Sequence, residues 1–300
     1  MSKFVLTNEN YYTPEANQNY FSCSQFEEFC TCEAAALAHV RGQWAPPETE
    51  AFFWGKYFHA YFEGPEAFNN FCHESSNFDK IFKTKTTKAR GFEVTGKYSG
   101  ALKMDAMIEA AEMDPAIKRI IDMTGENEVS MHGKLFGKYP WRIRLDKHIP
   151  DMNMIIDYKT VADIYETKYS PKYGRKVSFV EQYNYMFRAA VYSEIYKQFT
   201  GYDKTPLFWL VCISKQEPPD KAIVNLTDAE RYGLELEKVY EKIHRFQAIK
   251  EGKVPPVRCG KCAYCRSTKE LTRSIDYWEL DPDYGREKET EDIYGFDSEI

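Results

Sequence analysis

The sequence predicts a single α/β domain built on a mixed sheet. Three observations carry this: helical periodicity up to residue 122, three short alternating segments between 128 and 161, and a buried strand at 207–214 set between two further helices. Through residues 20–40, Phe26, Phe29, Ala34 and Leu37 recur at three- to five-residue intervals, with Ser22 or Ser24 as N-cap, so most of this stretch reads as helix. A second helix is expected over 50–63 and a third over 101–122, broken inside by Pro115. The pattern then changes. Residues 128–134 (EVSMHGK), 140–148 (PWRIRLDKH) and 153–161 are separated by the turn-prone LFGKYP and IPDMN, and read as consecutive antiparallel strands. Helix returns over 180–199, where Tyr185, Ala189, Tyr192 and Tyr196 keep a helical rhythm, and LFWLVCIS at 207–214 follows as a buried strand. A last helix, 227–251, stops before Gly252 and the Pro255-Pro256 pair, and no internal repeat is present.

With 43% hydrophobic, 29% charged and 16% aromatic residues in a chain of 300, disordered, collagenous and coiled-coil classes are excluded. No run of about 18 apolar residues occurs, and the start, MSKFVLTNEN, lacks the basic and apolar regions of a signal peptide, so a cytoplasmic protein without membrane partners is expected. Eight cysteines in a reducing compartment are better read as metal or cluster chemistry than as disulfides.

The net charge of -6 hides an asymmetry: residues 276–300 carry -8 and the remainder +2. Within 80–103, Lys80, Lys83, Lys85, Lys88, Arg90, Lys97 and Lys103 face Glu93 alone, and 134–176 holds ten basic residues against five acidic. Such runs are either solvated faces or surfaces that guide phosphate. The division expected is a domain over 1–275 and an acidic, aromatic, flexible tail over 276–300.

Arg144-Leu145-Asp146, followed by Asp157-Tyr158-Lys159-Thr160, carries the chemistry. Two neighbouring strands would each end in a carboxylate, and a hairpin between them brings Asp146 beside Asp157 and Lys159, which share a face because they lie two apart. Two carboxylates and a lysine suit a magnesium site, where oxygens hold the ion and the ammonium orients water; a surface salt bridge is the plainer alternative. Met154-Ile155-Ile156 argues that Asp157 emerges from a buried strand. Glu128 opens the first strand, as a solvated strand end or an accessory acid.

Together with Gly55-Lys56-Tyr57-Phe58-His59 in the second helix, these residues resemble the PD-(D/E)xK nuclease superfamily, whose RecB-like branch has a helical Gly-x-x-x-His, then a strand aspartate, then D-x-K. Phage and prophage RecE-type exonucleases look most similar, over about residues 20–270. The resemblance implies a restriction-endonuclease-like core, with a mixed central sheet flanked by helices. It also implies a DNA exonuclease dependent on Mg2+ or Mn2+, with Asp146, Asp157, Lys159 and His59 catalytic. His59 would join Asp146, Asp157 and the backbone carbonyl of Tyr158 as metal ligands. It further implies digestion from an end, in a bacterial host cell, leaving a single strand for an annealing protein in phage-type recombination, and relatives form homo-oligomers. A CRISPR-adaptation or repair enzyme is the alternative among nucleases, and a non-catalytic DNA-binding or redox module the alternative outside them.

One departure stands out. The branch usually has Gln-x-x-x-Tyr after the lysine strand, whereas Arg188-Ala189-Ala190-Val191-Tyr192 is the best-spaced match here and Gln182 lies six residues upstream. Arg188 could meet a phosphate oxygen in place of the amide, so Arg188, Tyr192 and Gln182 are candidate DNA contacts.

Cys259-Gly260-Lys261-Cys262-Ala263-Tyr264-Cys265 is a second constellation. A compact triple with one remote cysteine is common for a 4Fe-4S cluster, whereas zinc sites usually pair two distant C-x-x-C units. Cys23, Cys30, Cys32, Cys72 and Cys212 are candidates for the fourth ligand. Cluster-bearing relatives, AddB among them, resemble this chain in placing one cysteine on an N-terminal helix, which favours Cys32. A zinc ion on the same four ligands is the alternative, followed by three unconnected thiols.

Overall fold

The computed structural model describes residues 4–87 and 91–280. The chain opens with α1 (Pro14–Asn19), α2 (Cys23–Thr31) and α3 (Glu33–Val40), then α4 (Glu50–Glu63), α5 (Pro65–His73) and α6 (Ser75–Ile81). A hairpin of β1 (Phe82–Thr87) and β2 (Gly91–Lys97) leads into α7 (Ser99–Met113) and α8 (Pro115–Asp122). Three strands follow, β3 (Glu126–Leu135), β4 (Tyr139–Ile149) and β5 (Met154–Val161). Next come a small hairpin of β6 (Lys168–Ser170) and β7 (Arg175–Val177), and the helices α9 (Phe179–Gln182) and α10 (Tyr185–Thr200). The chain continues through β8 (Leu207–Ser214), β9 (Lys221–Asn225), α11 (Ala229–Lys250) and α12 (Ala263–Ser267).

The central sheet runs β3-β4-β5-β8-β9. Its first three strands are antiparallel neighbours, β8 joins β5 in parallel, and β9 returns antiparallel. The parallel step needs a crossover, which α10 supplies. One sheet face packs on Phe26 and Phe29 of α2, Leu37 of α3, Ile195 of α10, and Ile243 and Phe246 of α11. The other packs on Phe53 and Phe58 of α4, Met107 of α7, and Ile117 and Ile120 of α8. β5 is therefore covered twice: Ile155 belongs to the first core and Met154 and Ile156 to the second, which explains an apolar run without alternation.

The expected helices at 50–63 and 101–122 and the strand at 207–214 form, the 101–122 helix with its break at Asp114–Pro115. Three expectations need correction. The 20–40 stretch is two helices, because Cys32 adopts extended backbone with φ -160 and ψ 106. The 180–199 stretch is likewise broken, at Asn184, whose φ is 52. Neither aspartate ends its strand: β4 continues past Asp146 to Ile149 and β5 past Asp157 to Val161.

The β1–β2 hairpin had no signature because it is solvated on both faces, so alternation never develops. Residues 281–300, most of the expected tail, lie outside the described residues. Among the described residues no helix is long and apolar enough to cross a membrane. Ile155→Ala and Ile156→Ala should each lower stability by about 3 kcal/mol in urea unfolding, since each empties a site in a different core; a near-silent change at either position would contradict the two-sided burial of β5.

Candidate active site and cysteine centre

The β4–β5 ladder makes three pairs, Lys147↔Ile156, His148↔Ile155 and Ile149↔Met154, and then stops. The next pair in register would be Asp146 with Asp157. Instead, the Tyr158 N–H donates to Asp146 Oδ2 at 2.8 Å. A side-chain carboxylate thus takes the role of a strand carbonyl, and the two strands part without leaving that donor orphaned. Asp157 Oδ2 and Lys159 Nζ meet at 2.5 Å on one face of β5. Lys159 Nζ also lies 3.8 Å from Asp146 Oδ2 and donates to the Tyr158 carbonyl at 3.1 Å. His59 comes from α4, in the opposite layer, with Nδ1 3.2 Å from Asp146 Oδ2. Gly55, one turn earlier on α4, leaves open space: nothing lies within 4 Å of where its Cβ would stand.

Burial by itself would raise the Asp146 carboxyl, but His59, Lys159 and the Tyr158 N–H outweigh it and hold Asp146 well below the usual carboxylate range. Burial, reinforced by the like charge of Asp146, pushes Asp157 up despite Lys159. Lys159 is itself raised, because the two aspartates overcome its own burial.

Glu128 falls opposite Asp146 in the β3–β4 register, yet no backbone pair forms between Asn127↔Lys147 and Val129↔Leu145. Its φ of 53 is a left-handed value that a non-glycine residue adopts at a cost of about 1–3 kcal/mol. Around this pair the alternation changes phase: Ile143 and Leu145 face the first core, while Ile149, which strict alternation would keep with them, faces the second. Glu128 is thereby no solvated strand end. Its carboxylate is paired with Arg144 and lies within 4.8 Å of the ligand atoms of His59 and Asp146. The available sequence signal was register: once 128–134 and 140–148 pair, residue 128 stands across from 146.

The residues fit a divalent cation. Asp157 Oδ2 is buried without an aligned hydrogen-bond donor, its contact with Lys159 being one of charge. The Lys159 ammonium, in turn, sits among three oxygens of the kind magnesium prefers. Of the candidate DNA contacts, Arg188 is half-buried on α10 and its charge acts on both Asp157 and Lys159. Tyr192 is 7% exposed and packs on Phe208, a core position rather than a DNA-facing one. Gln182 is exposed at the end of α9, lining a shallow pocket with Val161, Asp163 and Tyr183.

The charge tally overstates the phosphate-facing surface. Lys80 pairs with Glu48 and Lys97 with Asp105, while Arg142 and Lys147 are buried at 3% and 6% exposure. Lys83, Lys85, Lys103, Lys134, Lys138, Lys168, Lys172, Arg175 and Lys176 remain at the surface, Lys168 paired with Glu166, and Lys88 and Arg90 lie outside the described residues.

Cys32, Cys259, Cys262 and Cys265 come together, every sulfur within 4.8 Å of the others. The break between α2 and α3 makes this possible, because Cys32 caps both helices and its thiol leaves the helical path. Of the other candidates, Cys23, Cys72 and Cys212 are buried elsewhere in the two cores, and Cys30 is exposed with its sulfur 3.9 Å from Lys242 Nζ.

A family profile described as a PDDEXK-like domain of unknown function (DUF3799) matches residues 22–268. The crystal structure of a protein described as "Putative exonuclease" from Eubacterium rectale is similar with a TM-score of 0.80 and 28% identity, over 93% of this chain and 99% of that one. No curated protein matches the sequence.

Glu128→Gln keeps the shape of the site but removes a negative oxygen donor, so Mn2+ affinity measured by calorimetry should fall about tenfold. For the unsubstituted protein, affinity should weaken on acidification through the raised Asp157 range, because proton and metal compete for the same carboxylate; binding that is flat with pH would contradict this.

Proposed function

This chain belongs to the PDDEXK-like domain family, within the PD-(D/E)xK nuclease superfamily, and we propose that it is a divalent-metal-dependent exodeoxyribonuclease that hydrolyses phosphodiester bonds from DNA ends. One observation carries the reading: His59, Asp146, Asp157 and Lys159, drawn from a helix and two strands, meet in a chain of contacts of 2.5–3.8 Å where β4 and β5 part.

Asp146, Asp157, the Tyr158 carbonyl and His59 would hold Mg2+ or Mn2+, with Glu128 beside them. When bound, the ion supplies Lewis-acid activation of the phosphate and of water. Lys159 orients the attacking water and offsets the charge that develops on the phosphate oxygens. Arg188 adds a second fixed cation beside Asp157, in the position where the branch has an amide. Water attacks phosphorus and gives up a proton to solvent, the bond to the leaving sugar oxygen breaks, and solvent returns a proton to that oxygen.

The exposed lysines of the β1–β2 hairpin and the 172–176 turn guide the backbone by charge, without reading bases. In this reading the nuclease domain covers 1–275 and the acidic segment 276–300 is an appendage. The enzyme works in the cytoplasm, and its single-stranded product passes to an annealing protein as in phage-type recombination.

Asp157→Asn should lower Mg2+-dependent digestion of end-labelled linear duplex by at least about 100-fold while the protein stays folded. Lys159→Ala should lose turnover by a similar factor yet keep Mn2+ binding, as a water-orienting group is no ligand. Undiminished cleavage by Asp157→Asn would sink the metal-site assignment. Degradation of covalently closed circles as fast as linear duplex would remove the exonuclease reading and leave an endonuclease.

A further inference from the structure

The resemblance to cluster-bearing nucleases implies a 4Fe-4S cube on Cys32, Cys259, Cys262 and Cys265, and the sulfur positions do not fit it. Cys32 Sγ and Cys265 Sγ are 3.6 Å apart, Cys259 Sγ and Cys265 Sγ 4.0 Å, and all four lie within 4.8 Å of one another. A cube places four irons and four sulfides between its thiolates and spreads them to roughly 6 Å or more. A single tetrahedral ion with metal–sulfur bonds of about 2.3 Å sets its sulfurs about 3.8 Å apart. We infer that the four cysteines form a mononuclear tetrathiolate site, occupied by one zinc-class divalent ion that joins the two ends of the domain without redox chemistry.

The local backbone supports this. Gly260, at φ 73, turns the chain so that the Cys262 N–H donates to Cys259 Sγ at 3.3 Å, and the Cys265 N–H donates in the same way to Cys262 Sγ at 3.4 Å. Backbone donors aimed at sulfur fix its direction before any metal arrives. Cys32 and Cys265 are buried at 4% and 3% exposure among Ala34, Ala35, Trp44 and Tyr264, so two sulfurs are shielded from water and oxidant. Ion binding releases the thiol protons still present to solvent and leaves a centre of net charge -2, with Arg258 close by, donating to the Cys265 carbonyl at 3.4 Å. Zinc has a filled d shell and no accessible second oxidation state, so the site acts as a clamp and no electron moves through it.

The clamp would close a loop from residue 32 to residue 259, and weaker contacts already define the same seam. Arg245 pairs with Glu33 at 2.6 Å, Glu33 Oε2 accepts from the Val257 N–H at 2.7 Å, and Ala34 N–H donates to the Val257 carbonyl at 3.1 Å. The ends are thus aligned by hydrogen bonds, and the ion converts that alignment into a cross-link whose loss frees a long loop. This inference is independent of the nuclease reading, because none of its observations involves the carboxylate site.

The full-length protein, purified anaerobically, should contain one zinc per chain, no acid-labile sulfide and no visible absorption. Exchange with Co2+ should give the intense ligand-field bands of a tetrahedral tetrathiolate. Cys32→Ser and Cys262→Ser should each lose the ion and lower Tm by roughly 10 °C, whereas Cys30→Ser should keep one ion per chain. One iron per chain without sulfide would keep the single-ion geometry but overturn the redox-inert assignment. Four irons with matching sulfide and a brown protein would overturn the inference, as would a folded protein that holds no metal and takes up no Co2+. If the ligand variants fail to fold, the metal and sulfide content of the unsubstituted protein decides alone. Metal loss from Cys30→Ser would show that the ligand set is wrong.

Discussion

Asp157 and Lys159 emerge from a strand covered on both faces, and charges so placed must be held by geometry because water cannot reach them freely. The solution lies in how β4 and β5 separate. Asp146 Oδ2 accepts the backbone N–H that the ladder gives up, faces the imidazole of His59 and lies near the Lys159 ammonium. One carboxylate oxygen therefore satisfies a backbone donor and organises two catalytic candidates. The parting of the strands and the gathering of these side chains are thus one structural event.

The second strand pair is distorted at the same level. Glu128 and Asp146 stand opposite each other, the ladder skips them, and the facing of the strands changes phase around them. Two carboxylates directly across a ladder repel. Glu128 takes left-handed backbone and pairs with Arg144, which offsets part of that repulsion while the two carboxylates stay close. Strain retained at such a position fits a site where acid oxygens are wanted together. Arg142, Arg144 and Lys147, which swell the basic count of the segment, serve this interior: Arg142 packs on Tyr11, Arg144 holds Glu128, and Lys147 donates to the Ile121 carbonyl at 2.5 Å.

The two ends of the domain meet along a seam separate from that site. Lys250, near the end of α11, donates to the carbonyls of Asn17 and Tyr20 and to Gln25 Oε1, and its ammonium lies 4.1 Å from the Phe21 ring centre. Burial pushes its pKa down to about 7. With the Glu33–Arg245 pair and the four cysteines, this gives the N-terminal helices three anchors to the C-terminal part of the chain.

The mixed sheet and the long helices were legible in the sequence because each rests on local pattern, whereas the carboxylate residues became candidates through their resemblance to a known nuclease motif. The uninterrupted Met154-Ile155-Ile156 marked β5 as buried, residues two apart on a strand must share a face, and His59 entered only with the Gly-x-x-x-His element, which lies on α4. The compact cysteine triple was equally local. Tertiary structure alone decided the rest, because it depends on contacts between segments that carry no common period. The stop of the β4–β5 ladder, the left-handed Glu128 and its approach to His59 arise from charges on three elements competing for one space. Composition counted Arg142 and Lys147 as surface charge, but burial by neighbouring helices and the N-terminal segment turned them into interior donors. The distance between sulfurs, on which the choice between one ion and a cluster turns, exists only once residue 32 and residues 259–265 have been brought to the same point in space.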